Sequence, residues 1–144
     1  GLIIIFLLFG CSVDEQERSG KTDEAAQHEI SVSESVEKTV FTSITPAKAH
    51  EMLSIRKDIL FVDVRSDEEV AEAAIEGTQP IPMGRILLGH SVLPKDKPIL
   101  LVCAVGGRSY GVGRYLAQQG YPEVYNLRGG IVAWEKAGLP VMKK

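Results

Sequence analysis

Apolar positions over residues 39–144 fall into short runs separated by amphipathic stretches. Val40-Phe41-Thr42-Ser43-Ile44 reads as a strand, and Thr45-Pro46 then supplies an N-cap followed by proline at the first helical position. The helix predicted over 46–54 places Ala49, Met52 and Leu53 on one face. Ile59 to Val64 is a nearly continuous apolar run, as in a parallel strand buried on both faces. Ser66, with Glu69 three residues on, forms a capping box that opens a short helix. Thr78 to Met83 predicts a short strand, which Pro80 and Pro82 confine to an edge, and a short helix follows over 84–90.

Pro98 to Cys103 predicts a second buried strand. A Gly-rich loop then leads into a helix over 109–119, with Ser109 as N-cap and Gly120 just past the end. Val124 to Leu127 makes the last strand, and the last helix runs over 131–137 and stops at Gly138, with Pro140 beyond. Strands alternating with helices imply an α/β fold, an open and mostly parallel sheet with helices on both faces. Such sheets bind ligands outside the carboxyl ends of their strands. The elaborate loop in that position begins at Cys103.

The N-terminal part has a different character. Residues 1–11 carry no charge, about half the roughly 20 residues that span a bilayer, and read as the remnant of a signal-peptide h-region. Leu8-Phe9-Gly10-Cys11 resembles a bacterial lipobox, which implies lipidation of Cys11. From Asp14 to Lys38 there are eight acids and three bases, with no aromatic residue. Such a segment buries too little to offset its ordering entropy, so 12–38 is expected to be a flexible acidic tether, or an acidic partner-binding arm. Together these features place the domain over 39–144 in the periplasm or at the cell surface, attached to a membrane through a lipid.

The 144-residue chain carries a net charge of −3, without the basic excess of a nucleic-acid binder. Two cysteines, Cys11 and Cys103, exclude a disulfide framework and a four-cysteine zinc site. His28, His50 and His90 lack a His or Cys at ligand spacing, so neither a metal nor a cofactor is expected.

A cysteine that ends an apolar run is ordinarily a small core residue. The residues Ala104-Val105-Gly106-Gly107-Arg108-Ser109 change that reading for Cys103. Gly106 and Gly107 permit the positive φ angles that turn successive N–H groups inward as an anion-binding nest. The loop enters a helix, whose first N–H groups and dipole add positive potential, and Arg108 supplies a cation. A thiol there is expected to have a lowered pKa. No Gly-Lys-Ser/Thr ends the loop, which excludes a Walker-type phosphate site.

The pattern C-x-x-G-x-R-S, with Asp63-Val64-Arg65 at an earlier strand end, resembles the rhodanese family of sulfurtransferases. Asn126-Leu127-Arg128-Gly129-Gly130-Ile131-Val132-Ala133-Trp134, followed by Gly138-Leu139-Pro140-Val141, is similar to that family's C-terminal signature. The resemblance covers roughly residues 40–144 and implies a single rhodanese-like domain; a monomer is expected. It also implies that Cys103 takes a sulfane sulfur from thiosulfate or a persulfide, small or protein-bound, and passes it to a thiol or cyanide. Residues 104–109 would hold the donor and the persulfide. Asp63 and Arg65 read as residues that position loops by hydrogen bonding, Arg128 as a loop anchor and Trp134 as a core aromatic. Ala73-Ala74-Ile75-Glu76-Gly77 stands where the family often has Gly-His-Ile-Pro-Gly. Four residues separate Cys103 from Arg108, a shorter loop than the phosphatases of this fold use, which argues against phosphoryl chemistry. A persulfide carrier or partner-binding module without rapid turnover is the alternative.

Overall fold

In the computed structural model, which describes residues 38–144, the two apolar runs form neighbouring strands in the middle of a parallel sheet. The readings made on residues 1–37, including Cys11 and nearly all of the acidic stretch, lie outside the described residues. The strands are β1 (Val40–Ile44), β2 (Leu60–Asp63), β3 (Ala73–Ala74), β4 (Gln79–Pro80), β5 (Ile99–Val102), β6 (Glu123–Leu127) and β7 (Met142–Lys143). Five of them pair in the order β1-β6-β5-β2-β4, every pair parallel, with Leu60 opposite Ile99 and Ile99 opposite Val124. The helices are α1 (Pro46–Ile55), α2 (Asp67–Glu72), α3 (Met83–Leu87), α4 (Gly107–Gln118) and α5 (Gly130–Lys136). The expected single α/β domain with a mostly parallel sheet is what these elements form.

Because side chains alternate along a strand, β2 and β5 feed two separate cores. Val62, Val64, Ile99, Leu101 and Cys103 point to one face and meet Ile86 of α3 and Val112 and Leu116 of α4. Phe61, Leu100 and Val102 point to the other and meet Ala49 of α1 and Ile131 and Trp134 of α5. Burying one such side chain is worth about 1.5–3 kcal/mol, so the two cores fix which helix lies on which face. Trp134 is buried, and its indole N–H donates to Pro140 O at 3.0 Å. The approach of α4 to β1 depends on Gly113, where a Cβ would come within 2.3 Å of the Phe41 ring.

Local signals set the helix starts. Thr45 Oγ1 accepts from Lys48 N at 3.3 Å, and the Ser66–Glu69 capping box is complete, with Ser66 N donating to Glu69 Oε2 at 3.1 Å. Three expectations are corrected. The strand expected over 78–83 pairs only at Gln79–Pro80, since Pro82 starts α3 immediately afterwards. The helix after Cys103 begins at Gly107, two residues earlier than expected, capped by Gly106 in a left-handed conformation (φ 92°). Finally, β3 and β7 form an antiparallel pair that alternation over two residues could not announce.

Candidate active site

Cys103 follows the last residue of β5, and its side chain is buried on the α4 side of the sheet. The chain turns sharply there. Gly106 N donates to Cys103 Sγ at 3.1 Å, and the buried Ser109 hydroxyl lies 3.3 Å from the same sulfur. Burial pushes the thiol up. It is outweighed by the Ser109 hydroxyl and then by the N–H groups of Ser109, Gly106 and Val105, and the Cys103 pKa falls below the ordinary thiol value. Gly106 N and Ser109 Oγ are the donors within hydrogen-bond distance of the sulfur, on the side where the sequence places an anion nest.

Two glycines make the turn possible. A Cβ on Gly106 would stand 2.9 Å from Gly129 N, and one on Gly130 (φ 60°) would stand 2.2 Å from Cys103 O. The latter contact exists because α5 docks its first turn on the loop. Ile131 N donates to Cys103 O at 2.9 Å and Val132 N to Ala104 O at 3.2 Å. Gly107 has no positive φ, so the nest rests on Gly106 alone, which corrects the pairing of the two glycines.

Ser109 is corrected as well. With α4 starting at Gly107, Ser109 lies inside the first turn, and its hydroxyl faces inward instead of capping the helix. Besides the sulfur, it reaches Asn126 Oδ1 at 2.6 Å and Gly106 O at 3.3 Å. Asn126 Nδ2 in turn donates to Ser43 Oγ at 3.0 Å. Asn126 sits in β6, and Ser43 in β1 is its register partner, so the sheet itself aligns this chain of polar groups.

Arg108 is not a free cation. Its Nη1 and Nη2 donate to Glu69 Oε2 and Oε1 at 2.7 and 2.6 Å, a bidentate pair that is partly exposed. In the sequence Glu69 reads only as a capping residue. Nothing local connects it to a loop 39 residues away. Asp63 and Arg65, read from the sequence as loop-positioning residues, pair with each other at the end of β2. Asp63 is fully buried and accepts from Arg65 Nη2 at 2.7 Å, while Arg65 Nη2 also donates to Ala73 O at 2.7 Å and so ties β2 to the end of α2. Arg128 anchors its loop through N–H to Ile44 O at 2.8 Å. Ala104 is half-buried and Val105 is 68% exposed, so the loop's outer face is apolar.

The arrangement offers a buried thiol with a lowered pKa, fixed donors around it and a charge-balanced rim. Among the described residues neither histidine serves it as a base: His50 is exposed with its ring against Trp134, and His90 is exposed. Attack on a sulfur–sulfur bond needs no such base once the thiolate is formed.

A family model for the rhodanese-like domain matches residues 45–137. The chain is 43% identical over 90 residues to a protein of Allochromatium vinosum named sulfurtransferase, covering 62% of this chain and 84% of that one. It is 33% identical over 99 residues to the thiosulfate sulfurtransferase GlpE of Pseudoalteromonas translucida, covering 67% and 91%. Among solved structures, a rhodanese-related protein of Thermoplasma volcanium superposes with a TM-score of 0.63 at 30% identity, over 72% of this chain and 99% of that one. With the strand-terminal Cys103, its glycine-dependent loop and the docking of α5 all in place, the chain belongs to the family of rhodanese-like domains.

Proposed function

We propose that the protein is a rhodanese-type sulfurtransferase that carries sulfane sulfur as a persulfide on Cys103. The observation that carries the reading is the set of donors on Cys103 Sγ, with Gly106 N at 3.1 Å and Ser109 Oγ at 3.3 Å. Relatives named sulfurtransferase at 43% and 33% identity support the same class of reaction.

In the first half-reaction the Cys103 thiolate attacks the outer sulfur of the donor. A new S–S bond forms at Cys103 while the donor's S–S bond breaks, and the electron pair leaves with sulfite from thiosulfate or with a thiolate from an organic persulfide. The negative charge moves to the outer sulfur of Cys103-S–S⁻, within the same cradle of amides, which supplies preorganised stabilisation. In the second half-reaction a thiolate or cyanide attacks that outer sulfur, and the Cys103 thiolate is regenerated. No proton is transferred in either step, so the site needs a thiolate and not a base.

Intact-mass measurement tests the reading. Thiosulfate or a low-molecular-weight persulfide should add one sulfur to the protein, cyanide should remove it, and Cys103→Ser should show neither event with its fold intact. Sulfur gained by the Cys103→Ser protein would overturn the assignment.

The proposal includes a lipid anchor at Cys11, supported by the uncharged residues 1–11 and the acidic stretch behind them. Full-length protein expressed in a bacterium should enter the detergent phase, and Cys11→Ser should release it to the aqueous phase. Unmodified Cys11 in wholly soluble protein would exclude the anchor.

A further inference from the structure

Arg108 is the cation of the loop 103–109, yet both arms of its guanidinium already end on Glu69. Glu69 is held there from its own side, because its Oε2 also accepts from Ser66 N at 3.1 Å in the capping box of α2. The neighbouring cation, Arg65, is occupied by the buried Asp63. Among the described residues, the Arg108–Glu69 and Arg65–Asp63 pairs each sum to zero, so neither arginine brings an uncompensated charge to the loop, and its amides supply positive potential. A dianion entering this loop meets the Glu69 carboxylate and a guanidinium already engaged. Next to that pair the loop presents Ala104 and the exposed methyls of Val105.

From this geometry we infer that Glu69 is a specificity-determining residue, which neutralises Arg108 and biases the site toward monoanionic sulfur donors with an apolar group and against dianionic thiosulfate. The inference rests on the sulfurtransferase reading and adds the charge class of its donor.

Two donors that differ by one charge isolate the effect. Thiosulfate and methanethiosulfonate each present a terminal sulfur on a sulfonyl group, with an anionic oxygen in one replaced by a methyl in the other. Attack by Cys103 on the terminal sulfur gives the same persulfide and releases sulfite or methanesulfinate respectively, with charge conserved. In Glu69→Gln the capping acceptor is retained, since Gln serves the same position of a capping box, while the negative charge is lost.

The ratio of kcat/KM for thiosulfate to that for methanethiosulfonate should rise about tenfold in Glu69→Gln, a like-charge repulsion discounted for the exposure of the pair. Added salt should then slow the thiosulfate reaction of the variant more than that of the native protein. A second measurement involves no sulfur transfer. Protection of Cys103 from neutral iodoacetamide by sulfate, relative to methanesulfonate, should improve by a similar factor in the variant. Ratios within twofold of native in both measurements, in a variant that melts normally, would overturn the inference. Failure of the underlying reading looks different: neither donor would add sulfur to the native protein, and the protection ratio would still decide the role of Glu69.

Discussion

Ser109 Oγ lies 2.6 Å from Asn126 Oδ1 and 3.3 Å from both Cys103 Sγ and Gly106 O, so three acceptors compete for the single hydroxyl proton, with Asn126 the nearest. With the amide turned about its last torsion, Asn126 would donate to Ser109 through Nδ2 and accept from Ser43, and the hydroxyl proton would go to the sulfur. In that orientation the buried Asn126 would strengthen the support that Ser109 gives the thiolate, whereas in the observed one it competes for the same proton. It does this from the next strand, without touching the sulfur.

Ser109→Ala removes the strongest group favouring the thiolate, and burial then acts with less opposition. A hydrogen bond to a charged group is worth about 1.5–3 kcal/mol, so the midpoint of Cys103 reactivity should rise by about one pH unit or more. At pH 7 sulfur transfer should slow about tenfold, and raising the pH should restore it. Asn126→Ala removes the nearest competing acceptor, so its midpoint should stay at or below the native value even as stability falls by about 1–3 kcal/mol. Iodoacetamide alkylation of Cys103 followed from low to high pH measures both. A midpoint unmoved in Ser109→Ala would show that the amides alone hold the thiolate.

Asp63 and Arg65 make a second prediction. Asp63 is 0% and Arg65 4% exposed, so Asp63→Asn leaves a guanidinium buried without its counter-charge. Breaking a buried pair in this way costs about 3–5 kcal/mol, whereas replacing both partners with apolar residues of similar volume costs much less. Urea unfolding of Asp63→Asn and of the double variant Asp63→Leu/Arg65→Met should show this order. The reverse order would mean that the contact of Arg65 with Ala73 O, and not the ion pair, dominates the stability of this strand end.

What the chain announced and what it concealed follow from the range of the interactions. Apolar runs and caps act within a few residues, so β2, β5 and the starts of α1 and α2 are legible from Ile59 to Val64, Pro98 to Cys103, Thr45 and Ser66. Cys103 and the glycine turn after it are legible for the same reason. Glu69 with Arg108, and Asn126 with Ser109, meet only because parallel strands bring their ends together. Neither residue of such a pair carries a local mark of its partner. Gly106 and Gly107 are adjacent and identical, and only the docking of α5 decides that Gly106 takes the positive φ.

Acid should weaken the fold through carboxylates paired with arginine. Arg108 is the main influence on Glu69 and brings its pKa to about 2, against the opposing effect of burial. Arg56 likewise lowers Glu123. Each pKa is lower in the folded state than in the unfolded one, so the contribution is complete above about pH 5 and is lost as pH falls toward the folded value. These groups are substantially exposed, so each contributes about 0.2–1 kcal/mol. The urea midpoint should therefore hold between pH 7 and pH 5 and drop below that, and Glu69→Gln should drop less steeply. A native midpoint independent of pH down to 3 would contradict the assignment.

Gly130 carries the last prediction, because it fixes the loop from the opposite side of the sulfur. Its φ of 60° is one that residues with a Cβ rarely adopt, and an added Cβ would lie 2.2 Å from Cys103 O and 2.4 Å from Ala104 O. Those atoms are backbone, and Ile131 N and Val132 N hold the same two carbonyls, so the clash cannot be relieved by rotating a side chain. Left-handed strain costs about 1–3 kcal/mol, and overpacking a similar amount. Gly130→Ala should lower stability by at least about 2 kcal/mol and reduce the persulfide yield further than stability alone explains, because the loop amides move off the sulfur. Gly107→Ala is the control. It has ordinary φ and nothing within 4 Å of the added Cβ, so stability and yield should stay near native. Comparing the variants at a temperature where both are fully folded separates loop geometry from unfolding. Native yield from folded Gly130→Ala would show that the loop keeps its shape without the docked turn of α5.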